Sequence, residues 1–276
     1  MRPTGGHSLD VLDPALLVEV PAGVYEIGIH LDLPSRLESS WASGGLPTDY
    51  LAAAAPKAPA RLERVRISRR MVSAVDFGRF VESTGFLTEA EREGWGWTWE
   101  GGWKKREGLS WRGPFGGRAD DAYRDESDAM PALQISWNDA EAWCSWFSRE
   151  TGVRARLPRE AEWEAFARLV GARSMLDVGT EEARLEFETA EDFFSALKGV
   201  FLRGATSHPC GVLWEWTSDW FKAYPGGGPG PDYGEVYRVL RGGSLAGHPL
   251  QRCREYRFRR CPTARSPFYS FRFALD

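Results

Sequence analysis

Alternating apolar and polar positions open the chain. Val18-Glu19-Val20-Pro21-Ala22-Gly23-Val24-Tyr25-Glu26-Ile27-Gly28 reads as a strand or hairpin arm that ends at glycine. Residues 33–60, rich in Pro, Ser, Gly and Ala without a period, predict a surface excursion rather than a second domain. Arg64-Val65-Arg66-Ile67 alternates again as a strand. The period then lengthens. Ser73 with Asp76 three residues on, an apolar face of Phe77, Phe80 and Val81, and Gly85 beyond it predict a capped helix. Ser136 with Asp139, followed by Ala140, Trp143, Cys144 and Phe147 and a stop near Gly152, predicts a second. Pro158 opens a third, with Trp163, Phe166, Ala167 and Val170 on one face and Gly171 past its end. Thr189 with Asp192 caps a short fourth over residues 193–198, stopped by Gly199. In Leu213-Trp214-Glu215-Trp216-Thr217-Ser218-Asp219-Trp220 the tryptophans alternate as in a buried strand edge, and a Gly/Pro run then leads to a final strand at 236–241.

Two stretches fit neither period. Between Trp95 and Trp111 five tryptophans are spaced by glycines and charges, which either staples loops to the core or forms a stacking platform. From Tyr256 to Ser270 aromatic, arginine and small residues mix without order. Few helices, several short strands and many aromatic-anchored loops predict one α+β domain over residues 1–276, and no fixed-period repeat suggests a solenoid.

Composition adds bounds. With 276 residues, 42% hydrophobic and 13% aromatic, the chain has ample material for a core. No apolar run approaches the ~20 residues of a membrane span, and the first residues do not read as a secretory signal, so the expected location is cytoplasmic. Cys144 falls on a helix face, while Cys210, Cys253 and Cys261 form no CxxC pair; His7, His30, His208 and His248 lack ligand spacing. Thirty arginines against five lysines suit a GC-rich genome, and the single asparagine, Asn138, with two glutamines fits either a thermophile or coding bias alone. Residues 251–272 carry seven arginines and one acid, Glu255, in a chain of net charge −4. That excess either makes a positive face or bridges to acidic groups elsewhere; nucleic acid is not the expected partner.

Several segments together resemble the formylglycine-generating-enzyme family, whose fold is a variant of the C-type lectin fold. They are Val20-Pro21-Ala22-Gly23, the 80–86 helix end with Thr88-Glu89-Ala90-Glu91-Arg92, Ile135-Ser136-Trp137-Asn138-Asp139-Ala140, Arg156-Leu157-Pro158-Arg159-Glu160-Ala161-Glu162-Trp163-Glu164, the 214–220 strand, and Arg241-Gly242-Gly243-Ser244. The resemblance implies an α+β, C-type lectin-like domain with few helices, short twisted strands and much irregular loop. It also implies metal sites that this chain departs from. Oxidase members bind copper through two cysteines five positions apart after Gly-Gly-Ser; Gly247 stands at the first position, and Cys253 lies one beyond the second. Val212 replaces a calcium-binding asparagine. The ergothioneine sulfoxide synthases match the tail in step at His248, Pro249, Tyr256, Arg257, Pro262, Arg265, Phe271 and Arg272, but hold iron with histidines on an added helical domain.

A third branch, the variable proteins of diversity-generating retroelements, uses this fold as a scaffold and rewrites the segment after Gly-Gly-Ser by adenine-directed mutagenesis. The codons involved do not become Lys, Glu, Gln, Met or Trp, and none of these occurs from Tyr256 to Ala274. The resemblance therefore implies a non-enzymatic ligand-binding protein with 245–272 as its variable segment, no cofactor or metal, and a protein or other macromolecular partner. The expected contact residues are Arg252, Tyr256, Phe258, Arg260, Cys261, Thr263, Ala264, Ser266, Phe268, Tyr269 and Ser270, rich in types that supply contact area. The alternative is a metal-dependent oxidoreductase related to formylglycine-generating enzyme or the sulfoxide synthases.

Overall fold

The opening alternation resolves into two strands that serve different sheets. The computed structural model describes residues 13–34, 46, 48–126, 128–179, 182, 185–202 and 209–276. The expectations for the first twelve residues, part of the 33–60 excursion, His7 and His208 lie outside these. β1 (Leu17–Val20) pairs antiparallel with β4 (Val65–Ser68), while β2 (Gly23–Ile27) pairs with β3 (Ala58–Leu62). β4 is joined on its other side by β12 (Ala274–Leu275), which in turn pairs with β7 (Ala155–Arg156), so this sheet runs β1-β4-β12-β7. Val20, Ile67 and Ala274 point from it onto Phe166, all fully buried.

A second sheet runs β10 (Arg257–Arg260), β9 (Arg238–Arg241), β8 (Trp214–Trp220), β11 (Tyr269–Ser270). The strand expected to be last is followed by three more, because the disordered-looking tail pairs in short pieces: β10 antiparallel to β9 and β11 parallel to β8. The tryptophan-rich stretch is also regular. β5 (Trp95–Trp99) and β6 (Trp103–Glu107) form a two-stranded hairpin, which corrects the expectation of rings on irregular backbone.

Helices form where local signals agree. α1 (Thr48–Ala52) and α3 (Glu89–Glu93) are short. α2 (Ala74–Thr84) starts at Ser73, whose Oγ accepts from Asp76 N, and ends at Gly85 in the left-handed region. α4 (Arg118–Asp125) follows the hairpin. α5 (Trp137–Thr151) opens on the Ser136–Asp139 capping box and ends at Gly152. α6 is Glu160–Leu169, beginning two residues beyond Pro158. α7 is Ala190–Leu202, and it runs through Gly199 because Phe193, Phe194, Leu197 and Phe201 bury one continuous apolar face. Between α2, α5 and the tail, Trp143 stacks on Phe147 at 4.9 Å and meets Phe271 and Phe273 at 5.6 and 5.5 Å.

The tail's arginines settle the choice left open by the charge excess: most of them go inside. Arg241, Arg257 and Arg272 are essentially fully buried. Arg257 grips Glu160 with Nε and Nη2 (2.6 and 2.8 Å) and donates to the carbonyls of Ala53 and Lys222. Arg241 bonds Glu160, Glu164 and Tyr224, and Arg272 holds Glu215, which also accepts from Trp163 Nε1. Burial opposes ionisation of Glu160, yet Arg257 and Arg241 outweigh it and keep its carboxyl below the usual range. Glu164 is pushed up by burial despite Arg241. The network fastens α6 and β8 to the C-terminal segment. No helix among the described residues is long and apolar enough to cross a membrane.

Candidate ligand-binding cleft

One wall of the cleft is the β5–β6 hairpin. Gly96 and Thr98 turn inward on β5; a Cβ on Gly96 would sit 2.8 Å from Gln134 Oε1 and 2.9 Å from Leu109 Cβ, so glycine is required there. Thr98 Oγ1 donates to Phe115 O at 3.3 Å. The alternate positions place Trp95, Trp97 and Trp99 on the opposite face, joined across the hairpin by Trp103. Trp97 and Trp103 remain 36% and 47% exposed. The rings meet edge to face, Trp95 on Trp97 at 5.7 Å and Trp99 on Trp103 at 5.4 Å.

The other wall is the chain leaving β10. Ala264 N donates to Cys261 O at 2.9 Å, closing a turn, and Pro262 O accepts from Trp137 N at the start of α5. Arg265 clamps the two walls: it lies 3.8 Å over the Trp95 ring, donates to Trp95 O, and pairs with Glu93 at 2.8 Å. That hydrogen bond holds the Glu93 carboxyl below its ordinary value. Gln134 is the second clamp. Its Nε2 donates to Trp97 O and Pro114 O, and its backbone N donates to Ser266 O. Its φ of 57° places a non-glycine residue in the left-handed region, a strained conformation held by these contacts. Nothing in the sequence beyond the scarcity of glutamine singled it out.

Between the walls lies a cleft of about 440 Å3, lined by Trp95, Trp97 and Trp103 on one side. On the other stand Arg260, Cys261, Thr263, Ala264, Ser266 and Tyr269, six of the eleven expected contact residues, with Arg265 between them. Cys261 and Thr263 are exposed, Arg260 and Ala264 partly so. The other five do not line this cleft. Tyr256 is fully buried against Trp214 at 5.8 Å, and Phe258 stacks on the same indole at 4.6 Å. Phe268 is core, 4.1 Å from Phe193 and 4.9 Å from Trp103; Ser270 is fully buried in β11; Arg252 sits half-buried beside Gly211. The expected residues do not form one displayed surface: packing against Trp214 and Phe193 draws Tyr256, Phe258 and Phe268 away, and Arg260, Cys261, residues 263–266 and Tyr269 line the cleft.

The thiols do not fit a two-cysteine copper site. Gly247 has no ligand atom, and a Cβ there would lie 2.9 Å from Ser244 O. Cys253 is buried with Sγ against Pro249 O at 3.5 Å, and burial pushes its thiol well up, away from the thiolate a metal needs. Cys261 stands apart in the cleft, 3.7 Å from Thr263 Oγ1. Val212 packs in the core, its backbone bonded to Leu245, and supplies no side-chain oxygen for calcium. His248 Nδ1 is occupied by Leu250 N at 3.2 Å. What the cleft offers is exposed indole surface, an accessible thiol and hydroxyl, and guanidinium groups.

Comparison with known proteins places these features in context. The family described as sulfatase-modifying factor enzyme 1-like domain matches residues 12–201 and 204–276. The chain is 29% identical over 310 residues to the formylglycine-generating enzyme of Bos taurus, covering 95% of this chain and 75% of that protein. It is 31% identical over 243 residues to the hercynine oxygenase of Mycobacterium tuberculosis, covering 76% of this chain and 52% of that one. Among solved structures, PvdO from Pseudomonas aeruginosa superposes with a TM-score of 0.57 at 19% identity over 94% of both chains, a likeness of fold.

Proposed function

This chain belongs to the sulfatase-modifying factor enzyme 1-like family, and from that premise we propose that it is a non-catalytic ligand-binding protein working through the cleft between the tryptophan hairpin and residues 260–266. The observation that carries the reading is the composition of the two walls. A rigid indole face, fixed by Gln134 and Arg265, stands opposite a loop whose outward side chains are small, polar or cationic. Rigid aromatic surface supplies contact area at low entropic cost, and replaceable neighbours select among ligands. Positions 261 and 263 are exposed and 260 and 264 half-buried, so a diversified segment would centre on them; Tyr256, Phe268 and Ser270 are constrained by burial.

Panning a displayed peptide library on the immobilised protein tests this. Binders should be recovered, and Thr263→Trp, which puts a bulky ring at an exposed lining position of the cleft, should lose them while keeping the wild-type melting temperature. Recovery of no binder, or equal binding by the variant, would sink the proposal. The diversification part has its own test in the neighbouring DNA: a near-copy of the tail's coding sequence differing at adenines, beside a reverse transcriptase gene, is expected, and its absence removes that part alone.

A metal-dependent oxidoreductase, as the names of the two relatives suggest, is favoured by one feature, the exposed Cys261 thiol within the cleft. Stoichiometric copper or iron that survives desalting of wild-type protein and is lost in Cys261→Ser would select it.

A further inference from the structure

We propose that β6 is a docking edge on which an extended, acidic polypeptide segment adds as a third strand beside the cleft. The proposal rests on the binding reading above and names the class of ligand. The ladder dictates which backbone groups are free. Gly108 N donates to Gly94 O and Glu100 N to Gly102 O at the two ends of the hairpin, and the register between them pairs Gly96 with Arg106 and Thr98 with Lys104. Opposed residues in an antiparallel pair alternate between bonded and non-bonded. The backbone groups of Trp103, Lys105 and Glu107 therefore point away from β5. On β5 the equivalent outward carbonyls of Trp95 and Trp97 are taken by Arg265 and Gln134. On β6, among the described residues, nothing takes them, and all five residues of the strand are exposed.

Charge and aromatic surface specify the occupant. Lys104, Lys105 and Arg106 are consecutive; Glu100 bridges the first and last, while Lys105 lies 4.0 Å over the Trp95 ring with no carboxylate at ion-pair distance among the described residues. Cations on an open edge discourage pairing with neutral or basic strands and favour an acidic one. A strand placed beside β6 sets alternate side chains on the face carrying Trp103 and Lys105, an acid opposite the lysine and an aromatic or apolar group opposite the indole. Trp103 also lines the cleft, so edge and cleft form one continuous surface. Backbone pairing gives affinity independent of ligand sequence, and the 260–264 loop then selects side chains.

The test is calorimetric titration with a capped octapeptide that has threonine at every odd position and glutamate and tyrosine in turn at the even ones, so that acid and ring share the face set against Lys105 and Trp103. Controls are the same peptide with alternate backbone nitrogens methylated and a version with lysine for glutamate. The parent peptide should bind, with both controls weaker by tenfold or more. Lys105→Glu should weaken the parent by a similar factor, as should Lys105→Pro, which removes an outward N–H without touching the bonds to β5. If the proline variant disturbs the fold, the charge reversal and the methylated peptide still decide. No binding of the parent, or equal binding of the methylated peptide, overturns strand docking. Panned binders that are lost in Thr263→Trp but indifferent to methylation and to Lys105→Glu would overturn it while leaving the cleft reading intact.

Discussion

Arg257 has a short side chain's worth of sequence context and a large structural role. Its guanidinium is fully buried and spends its donors on Glu160 and two carbonyls, so Arg257→Met leaves Glu160 with Arg241 as its remaining cation. Breaking a buried pair from one side costs about 3–5 kcal/mol, and urea unfolding of the variant should show a loss of that order. A loss below about 1 kcal/mol would mean the network is not holding the tail to α6. Asp139 makes a second residue-scale prediction. Burial pushes its carboxyl up to about 6, despite hydrogen bonds from Ser136 N and Glu89 N. A folded value above the unfolded one means its contribution to stability is fully present below about pH 4 and fades as pH rises through about 6. Carboxyl NMR should find this group titrating near 6, and Asp139→Asn should remove that part of the stability profile; a midpoint near 4 would refute the assignment. Neighbouring residues make only the capping role of Asp139 readable, through Ser136; its burial and the ion pairs of Arg257 are not.

At the scale of elements, α2 and α5 were legible because cap, apolar face and glycine stop are all encoded within a dozen residues. α7 outruns the glycine stop its sequence predicts, since Gly199 is tolerated once four large apolar side chains are committed to the core. The hairpin was hidden for the opposite reason. Trp95-Gly96-Trp97-Thr98-Trp99 alternates size but puts its bulky residues on the solvent side, so the usual equation of apolar with inward fails. Gln134 is what makes that arrangement hold. Gln134→Ala removes two side-chain bonds to β5 and its surroundings. We expect a destabilisation of about 1–3 kcal/mol and faster amide exchange at Thr98 and Lys104, with the β8–β9 amides unchanged. Exchange that quickened equally in both sheets would show that the hairpin is not a separately held unit.

For the whole molecule, β12 sits between β4 and β7, and the buried arginines tie the last segment to α6 and β8, so elements distant in sequence share one core. Tryptophan fluorescence and far-UV circular dichroism should therefore report coincident unfolding transitions; separated midpoints would mean the halves fold independently. The sequence by itself determined the α+β class, the capped helices, the family frame and the departures at Gly247 and Val212, because caps, glycine stops and ligand atoms are properties of single positions or of neighbours a few residues apart. Only tertiary structure decided that most of the tail's arginines are internal struts, that Tyr256, Phe268 and Ser270 are packed, and that six tail residues meet three tryptophans across a cleft. Burial and pairing depend on which distant segments arrive alongside, and in a tail without a period no local rule states which face that will be.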